Sequence, residues 1–79
     1  MSITLTPASH SLFAKFWDDA PNWGGEPLVN GNVKVGKSER GNLSDLLQKE
    51  LVESFDDGEG CTWLQFTKIG IQYAADHNL

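Results

Sequence analysis

The sequence predicts a small α+β domain over residues 1–79, with about three helices and a two- or three-stranded antiparallel sheet. Two patterns predict this fold: a leucine stripe at helical spacing begins at Leu43, and a glycine turn at residues 57–60 separates two strand-like runs. A short helical segment after Thr67 completes the order helix, strand, turn, strand, helix. A chain of this length buries only about 60% of the surface that it exposes when unfolded, so one core is expected.

The first helix is expected to begin at Pro7. Thr6 can accept a hydrogen bond from an unpaired backbone amide, and proline at the first helical position loses nothing by lacking an N–H. Apolar side chains then follow at helical spacing. They are Leu12, Phe13, Phe16, Trp17 and Ala20. Pro21 should end the helix, and we interpret the aromatic stripe as core rather than a cofactor site, because such a stripe must be buried.

Residues 21–36 contain recurring glycine and proline and cannot form a regular helix. The pair Asn30-Gly31 accepts the positive φ angles of a tight turn, so residues 28–29 and 33–35 are predicted to form a hairpin around it. A strand here could also pair with the later hairpin. Trp23 either caps the core or is exposed as a contact residue, and we favour the cap.

Asn42 is predicted to cap the second helix, with Asp45 three residues later as in a variant capping box. The buried face of this helix would consist of Leu43, Leu46, Leu47 and Leu51. The residues before the cap form either a separate helical turn or, if Gly41 is accommodated, an N-terminal extension of the same helix. These residues are Lys37, Ser38 and Arg40.

Residues 52–55 and 61–67 are expected to pair through the glycine turn. Strand alternation places Leu64 and Phe66 on the core face and Trp63 on the other face, where cross-strand contacts or a partner would cover it. Thr67 should cap a last helix that runs to about Asp76. Its weak inner face would be formed by Ile71, Ala74 and Ala75.

The charge distribution predicts a dipolar surface. The chain carries 6 basic and 11 acidic residues and a formal net charge of −5, the wrong sign for a simple polyanion binder. Four cations nevertheless lie close together in the sequence, at Lys34, Lys37, Arg40 and Lys49. Four carboxylates follow them, at Glu53, Asp56, Asp57 and Glu59.

The composition favours no enzyme, metal site or cofactor. Cys61 is the only cysteine, and His10 and His77 lack ligand spacing to it or to each other. His10 stands beside two serines, but no third group positions it, so we expect it to face solvent. No apolar run approaches the roughly 20 residues of a membrane span, and residues 1–5 lack the features of a secretory signal. We therefore expect a cytoplasmic protein that binds no membrane.

Three segments resemble the winged-helix DNA-binding domain of the MarR-type regulators. They are Leu43-x-x-Leu46-Leu47-x-Lys49-Glu50-Leu51-Val52, the turn Asp57-Gly58-Glu59-Gly60, and Phe66-Thr67-x-x-Gly70. The resemblance covers residues 41–75 and implies that the chain is one winged-helix-like domain. It also implies that the leucine-lined helix is a recognition helix and that the glycine turn is the wing.

The chain departs from the family pattern at three points. The family usually has glycine where Glu50 stands, at the end of the recognition helix. It has a full helix before the recognition helix, whereas this chain has a sequence rich in glycine and asparagine. The family's wing usually carries basic residues, whereas Asp56, Asp57 and Glu59 here would repel phosphate.

The first functional hypothesis is a small nucleic-acid-binding or transcription-regulatory protein that contacts duplex DNA through the Lys34–Lys49 region. Its cations would bind phosphates or guanine, and its polar side chains would face base edges in the major groove. The residues predicted for this role are Lys34, Lys37, Ser38, Arg40, Asn42, Ser44 and Gln48. Four cations support only weak attachment by one chain, which a homodimer would strengthen; alternatively, they form an ordinary solvated face.

The alternative hypothesis is an acidic protein-interaction module that docks on a basic protein. Phage and mobile-element accessory proteins that modulate a host protein can be small acidic domains of this kind. The residues predicted to bind a partner are Trp23, Asp56, Asp57, Glu59 and Trp63.

Overall fold

The first helix, α1 (Pro7–Asp19), begins at the predicted signal. In the computed structural model, which describes residues 3–79, the Thr6 hydroxyl oxygen accepts a hydrogen bond from the Ser9 N–H at 3.2 Å. Met1 and Ser2, the start of the N-terminal segment considered above, lie outside the described residues. The aromatic stripe is confirmed as core, because its central side chains are fully buried: Leu12, Phe13 and Phe16.

The segment between the first two helices contains turns and isolated bridges. A 3₁₀-helix (Ala20–Trp23) follows α1 directly. The α-helix therefore ends just before Pro21, as predicted, but the chain continues for one turn of 3₁₀-helix. The predicted turn at Asn30 exists, and Asn30 has a left-handed φ of +64°. The predicted hairpin around it does not form, since only isolated bridges join Val29 to Val33 and Leu28 to Trp63. The Val35 N–H instead donates to the Asn30 side-chain oxygen at 2.7 Å, so it is not available to a β ladder.

Helix α2 (Lys37–Gln48) begins well before the predicted cap. Gly36 is the N-cap, and its carbonyl oxygen accepts a hydrogen bond from the Glu39 N–H at 3.0 Å. The prediction that Asn42 caps the helix is therefore wrong, and the alternative of an extension through Gly41 is confirmed. Gly41 is accommodated because it lies on the solvent side of the helix, where a Cβ atom would meet nothing within 4 Å.

The chain turns sharply after α2. Glu50 has a φ of +61°, in the left-handed region that glycine adopts most easily. The Leu51 N–H donates to the Leu46 carbonyl at 3.0 Å, which closes the helix end.

Strands β1 (Val52–Asp56) and β2 (Thr62–Phe66) form the predicted antiparallel pair, with Val52 opposite Phe66 and Asp56 opposite Thr62. Leu64 is fully buried and Phe66 packs against the core, as the alternation predicted. Beyond β2, the Leu64 N–H donates to the Pro27 carbonyl at 2.9 Å. Residues 27–29 thus lie beside β2 on the side away from β1.

Helix α3 (Lys68–Asp76) begins at its predicted cap, since the Thr67 hydroxyl oxygen accepts from the Gly70 N–H at 3.0 Å. The predicted inner face is wrong at two of its three positions: Ile71 is 53% exposed and Ala75 is also exposed. The buried residues are Gly70, Tyr73 and Ala74. Gly70 sets this rotation, because it lies so close to the backbone of Leu51 that a Cβ atom would be 2.1 Å from the Leu51 carbonyl oxygen.

The three helices and the two-stranded antiparallel sheet confirm the predicted α+β class. The core lies between α1, the inner sides of α2 and α3, and the inner face of the hairpin. Phe13 is at its centre and makes edge-on contacts with Phe66 and Tyr73, with ring centroids 5.5 and 5.1 Å away. Over the described part of the chain, no helix combines the length and the apolar character that crossing a membrane requires.

Candidate functional site

Helix α2 presents one continuous solvent-exposed side. Lys37, Arg40, Gly41, Ser44 and Gln48 are all exposed, and their spacing of three and four residues puts them on one face. The opposite side carries Leu46, which is fully buried, with two flanking leucines that pack against the core. Four of the seven residues predicted to bind nucleic acid are therefore brought together on this outer face.

Asn42 does not share the outer face. It is half-buried between α1 and α2, where its amide oxygen accepts from the Ser9 hydroxyl at 3.4 Å. Its amide nitrogen donates to a carboxylate oxygen of Glu39 at 3.1 Å. Both ends of the amide are thus used within the domain. Ser38 is exposed in the first turn of α2, to one side of the outer face.

The four clustered cations of the sequence do not form one patch. Lys49 lies about 18 Å along the helix axis from Lys37, at a rise of about 1.5 Å per residue. It forms an ion pair with Asp45 at 3.2 Å, the one ion pair within residues 3–79, and also donates to the Thr4 carbonyl at 3.1 Å. The Lys34 ammonium donates to the Asn30 carbonyl at 3.1 Å. Lys37 and Arg40 make no such contact among the described residues, so of these four cations they are the most available to an anionic partner.

The acidic turn between β1 and β2 is held by one of its own carboxylates. Asp57 accepts hydrogen bonds from the Trp63 indole N–H at 3.1 Å and from the backbone N–H groups of Glu59 and Cys61 at 2.8 and 3.3 Å. These donors, the indole most of all, lower the pKa of Asp57. Asp56 accepts from the Thr62 hydroxyl at 3.0 Å, and Glu59 is exposed. Asp57 is therefore a structural residue of the turn, whereas Glu59 faces solvent.

Trp23 and Trp63 cover each other on the outer face of the hairpin. Their rings meet edge to face with centroids 5.5 Å apart, and both side chains are half-buried. Phe55 lies directly opposite Trp63 in the ladder and is 40% exposed. The structure thus brings together two aromatic residues of the predicted partner-binding set and adds Phe55. Sequence reasoning missed Phe55, although its register opposite Trp63 follows from the predicted hairpin.

Asp19 anchors this aromatic pair, a role that the sequence did not reveal. It is only 7% exposed and accepts hydrogen bonds from the side chains of Asn22, Trp23 and Asn32 at 3.0, 2.8 and 2.9 Å. The Asn22 and Asn32 amides lower its pKa most, against the opposing effect of burial. Asn32 lies 13 positions from Asp19, so a local pattern could not identify the contact.

The rings of the two histidines lie 5.3 Å apart between centroids, although the residues are distant in sequence. The His10 Nδ1 atom is hydrogen-bonded with the Tyr73 hydroxyl, and the His77 ring stacks on Tyr73 with centroids 4.0 Å apart. His10 is half-buried, so the expectation that it faces solvent is wrong. Across residues 3–79, no three metal-ligating side chains converge at a geometry that would hold an ion.

Comparison with known proteins adds no assignment: the chain matches no protein-family model, no curated protein and no solved structure.

Proposed function

We propose that this chain is a non-catalytic, cytoplasmic nucleic-acid-binding protein that contacts duplex DNA through the outer face of α2. The observation that carries the proposal is the exposure of Lys37, Arg40, Ser44 and Gln48 on one side of a helix whose other side is anchored in the core. Cations at one end of that face can bind phosphates, while hydroxyl and amide groups further along can reach base edges.

The shape of α2 supports this role. From Lys37 to Gln48 the helix is about 16 Å long, and the major groove, about 12 Å wide, admits a single α-helix. Gly41 lies in the middle of the outer face and offers no side chain, so a phosphate backbone could approach the helix closely there. The resemblance to MarR-type domains also supports the proposal, because α2 directly precedes the β1–β2 hairpin, as the recognition helix precedes the wing in that family.

The acidic residues limit the affinity. The hairpin carries carboxylates where the family's wing carries cations, and the net charge is −5. We therefore expect weak, salt-sensitive binding by one chain, with tighter binding by a homodimer.

The decisive experiment compares two double variants that each remove two positive charges. Lys37→Ala with Arg40→Ala removes the free cations of α2, whereas Lys15→Ala with Lys68→Ala removes cations of α1 and α3. Binding to a fluorescent DNA duplex is measured by anisotropy over a range of salt concentrations. Loss of two phosphate contacts should make the plot of log affinity against log salt concentration less steep, with a slope smaller in magnitude by about 1.8.

The control pair should keep the parent slope, with at most a small uniform loss of affinity. Gly41→Ala provides a second variant, because it adds a methyl group to the proposed contact face without removing charge. It should weaken duplex binding while the helix remains intact. Equal affinities and equal salt slopes for the parent and both double variants would eliminate the proposed DNA contact.

A second function, docking on a basic protein through the hairpin, is favoured by a separate observation. The half-buried Trp23–Trp63 pair and the exposed Phe55 lie on one face of the hairpin, and Asp56 and Glu59 lie at its turn end. Aromatic side chains surrounded by charged groups are typical of protein interfaces. This function would use the hairpin and leave α2 free.

Pull-down from cell lysate tests this second function. The parent chain should retain a stoichiometric protein, and Asp56→Asn with Glu59→Gln or Phe55→Ser should release it. Asp57 is left unchanged because it holds the turn. Asp18→Asn with Glu26→Gln is the matched control, since it removes two exposed carboxylates outside the hairpin and should leave retention unchanged. Recovery that is the same in all variants would refute docking through the hairpin.

A further inference from the structure

Among the residues that the structure describes, no strand is hydrogen-bonded to one edge of strand β1. In β2, the Leu64 N–H donates to the Pro27 carbonyl and the Thr62 carbonyl accepts from the Val29 N–H, both at 2.9 Å. These even-numbered residues of β2 therefore direct their backbone groups away from β1. Because the two directions alternate along a strand, the odd-numbered residues Glu53 and Phe55 of β1 bond to β2. The backbone N–H and C=O groups of Ser54 and Asp56 consequently point to the opposite edge of β1.

This edge is open to solvent. Residues 53–56 of β1 are all exposed, whereas only Gln65 is exposed in β2. Within residues 3–79, the sheet has two strands, and the one further bridge to it reaches β2 and not β1. An extended segment could therefore bond to Ser54 and Asp56 without displacing any part of the described chain.

The negative charge around the free edge of β1 favours a positively charged segment as its binding partner. From Glu50 to Thr67 the chain has five carboxylates and no lysine, arginine or histidine. Glu53 and Phe55 share the outer face of β1, so a neighbouring strand would place its side chains beside a carboxylate and an aromatic ring. Lysine and arginine have apolar stems and cationic ends that complement this pair.

We infer that the free edge of β1 binds an extended basic segment of a partner protein by β-strand addition. The inference rests on the second function proposed above and specifies how the hairpin would engage its partner. Main-chain hydrogen bonds to Ser54 and Asp56 hold the segment, and its cations face Glu53 and the carboxylates of the turn. A second copy of this chain is a poor occupant of the edge, because it would bring the same five carboxylates against these ones.

The test uses three capped seven-residue peptides and amide hydrogen exchange followed by NMR. The first alternates lysine with valine and can form a strand. The second is the same peptide with every backbone N–H methylated, so it has the same charge but cannot donate backbone hydrogen bonds. The third alternates glutamate with valine. With the lysine-valine peptide at about 100 times its Kd, exchange of the Ser54 and Asp56 amides should slow about 100-fold.

The three peptides separate the possible outcomes. Strand addition predicts that only the unmethylated lysine-valine peptide protects Ser54 and Asp56. If both lysine peptides bind equally and neither protects these amides, strand addition is overturned while docking on the acidic hairpin survives. If no peptide binds, both are overturned. Protection that grows with protein concentration and without peptide would show self-pairing and would also overturn the inference.

Two substitutions at Ser54 provide an independent check. Ser54→Pro removes the N–H that points to the free edge, and proline is tolerated at such positions of edge strands. Ser54→Ala shortens the same side chain and keeps the N–H. Binding of the lysine-valine peptide should be lost in the first variant and retained in the second, with circular dichroism to verify that both are folded. Equal binding by both variants would overturn the assignment of the Ser54 backbone as a contact.

Discussion

Replacing Gly70 with alanine should destabilise the domain, whereas the same replacement at Gly41 should stabilise it. Both glycines lie in helices, where alanine is favoured over glycine by about 0.8–1.0 kcal/mol. At Gly41 a Cβ atom would meet nothing within 4 Å, so this gain is retained. At Gly70 a Cβ atom would lie 2.1 Å from the carbonyl oxygen of Leu51 and 3.0 Å from its carbonyl carbon.

The obstacle at Gly70 is backbone, which cannot rotate away as a side chain can. Helix α3 would have to shift from Leu51 and lengthen the 3.2 Å hydrogen bond between the Thr67 N–H and the Leu51 carbonyl. Overpacking costs about 1–3 kcal/mol, and a contact with backbone at 2.1 Å falls at the upper end of that range. The gain in helix propensity of about 1 kcal/mol offsets part of this cost and leaves a net loss of about 2 kcal/mol. Since 1 kcal/mol shifts the Tm of a domain of this size by about 4–8 °C, we expect a fall of about 8–16 °C at Gly70 and a rise of about 4–8 °C at Gly41.

Thermal unfolding followed by far-ultraviolet circular dichroism measures both changes, and urea unfolding checks that each transition remains cooperative. The Gly41→Ala variant is the control for helix propensity, because it has the same chemical change without the close contact. A Tm for Gly70→Ala at or above that of the parent would refute the conclusion that this contact sets the position of α3.

Two further changes test the local backbone and the buried carboxylate. Glu50→Gly should raise the free energy of unfolding by about 1 kcal/mol, because glycine relieves the left-handed conformation. Glu50→Ala removes the same charge and should not raise the free energy of unfolding. A rise in both variants would show that the charge, and not the backbone conformation, is responsible. Asp19→Asn should lower the Tm at neutral pH, since an amide cannot accept from all three donors as well as a carboxylate does. The lowered pKa of Asp19 means that its ionised carboxylate stabilises the folded state. This stabilisation is fully present when the pH is above 3.8, the ordinary pKa of the group, and is lost as the pH falls through the lower pKa of the folded state. The Asp19→Asn variant should therefore lose less stability than the parent on acidification below about pH 4, and parallel pH profiles in urea unfolding would contradict this account.

The candidate site was predictable only in part. The outer face of α2 followed from helical spacing once the helix was known to include Gly41. The residue type of Asn42 suits both capping and base contacts, but its actual contact with Ser9 joins residues 33 positions apart. Lys49 is close to the other cations in sequence, but the length of α2 separates it from Lys37.

The sequence by itself determined the local features: the caps at Thr6 and Thr67, the turn at residues 57–60, and the alternation that buries Leu64. These depend on interactions within a few residues, which the order of side chains specifies directly. The tertiary structure alone decided the rotation of α3, because Gly70 must lie against Leu51, and it alone brought Trp23, anchored by Asp19, onto Trp63. It also left one edge of β1 open. Such features depend on which distant backbone or side-chain groups come into contact, and one-dimensional spacing does not encode those contacts.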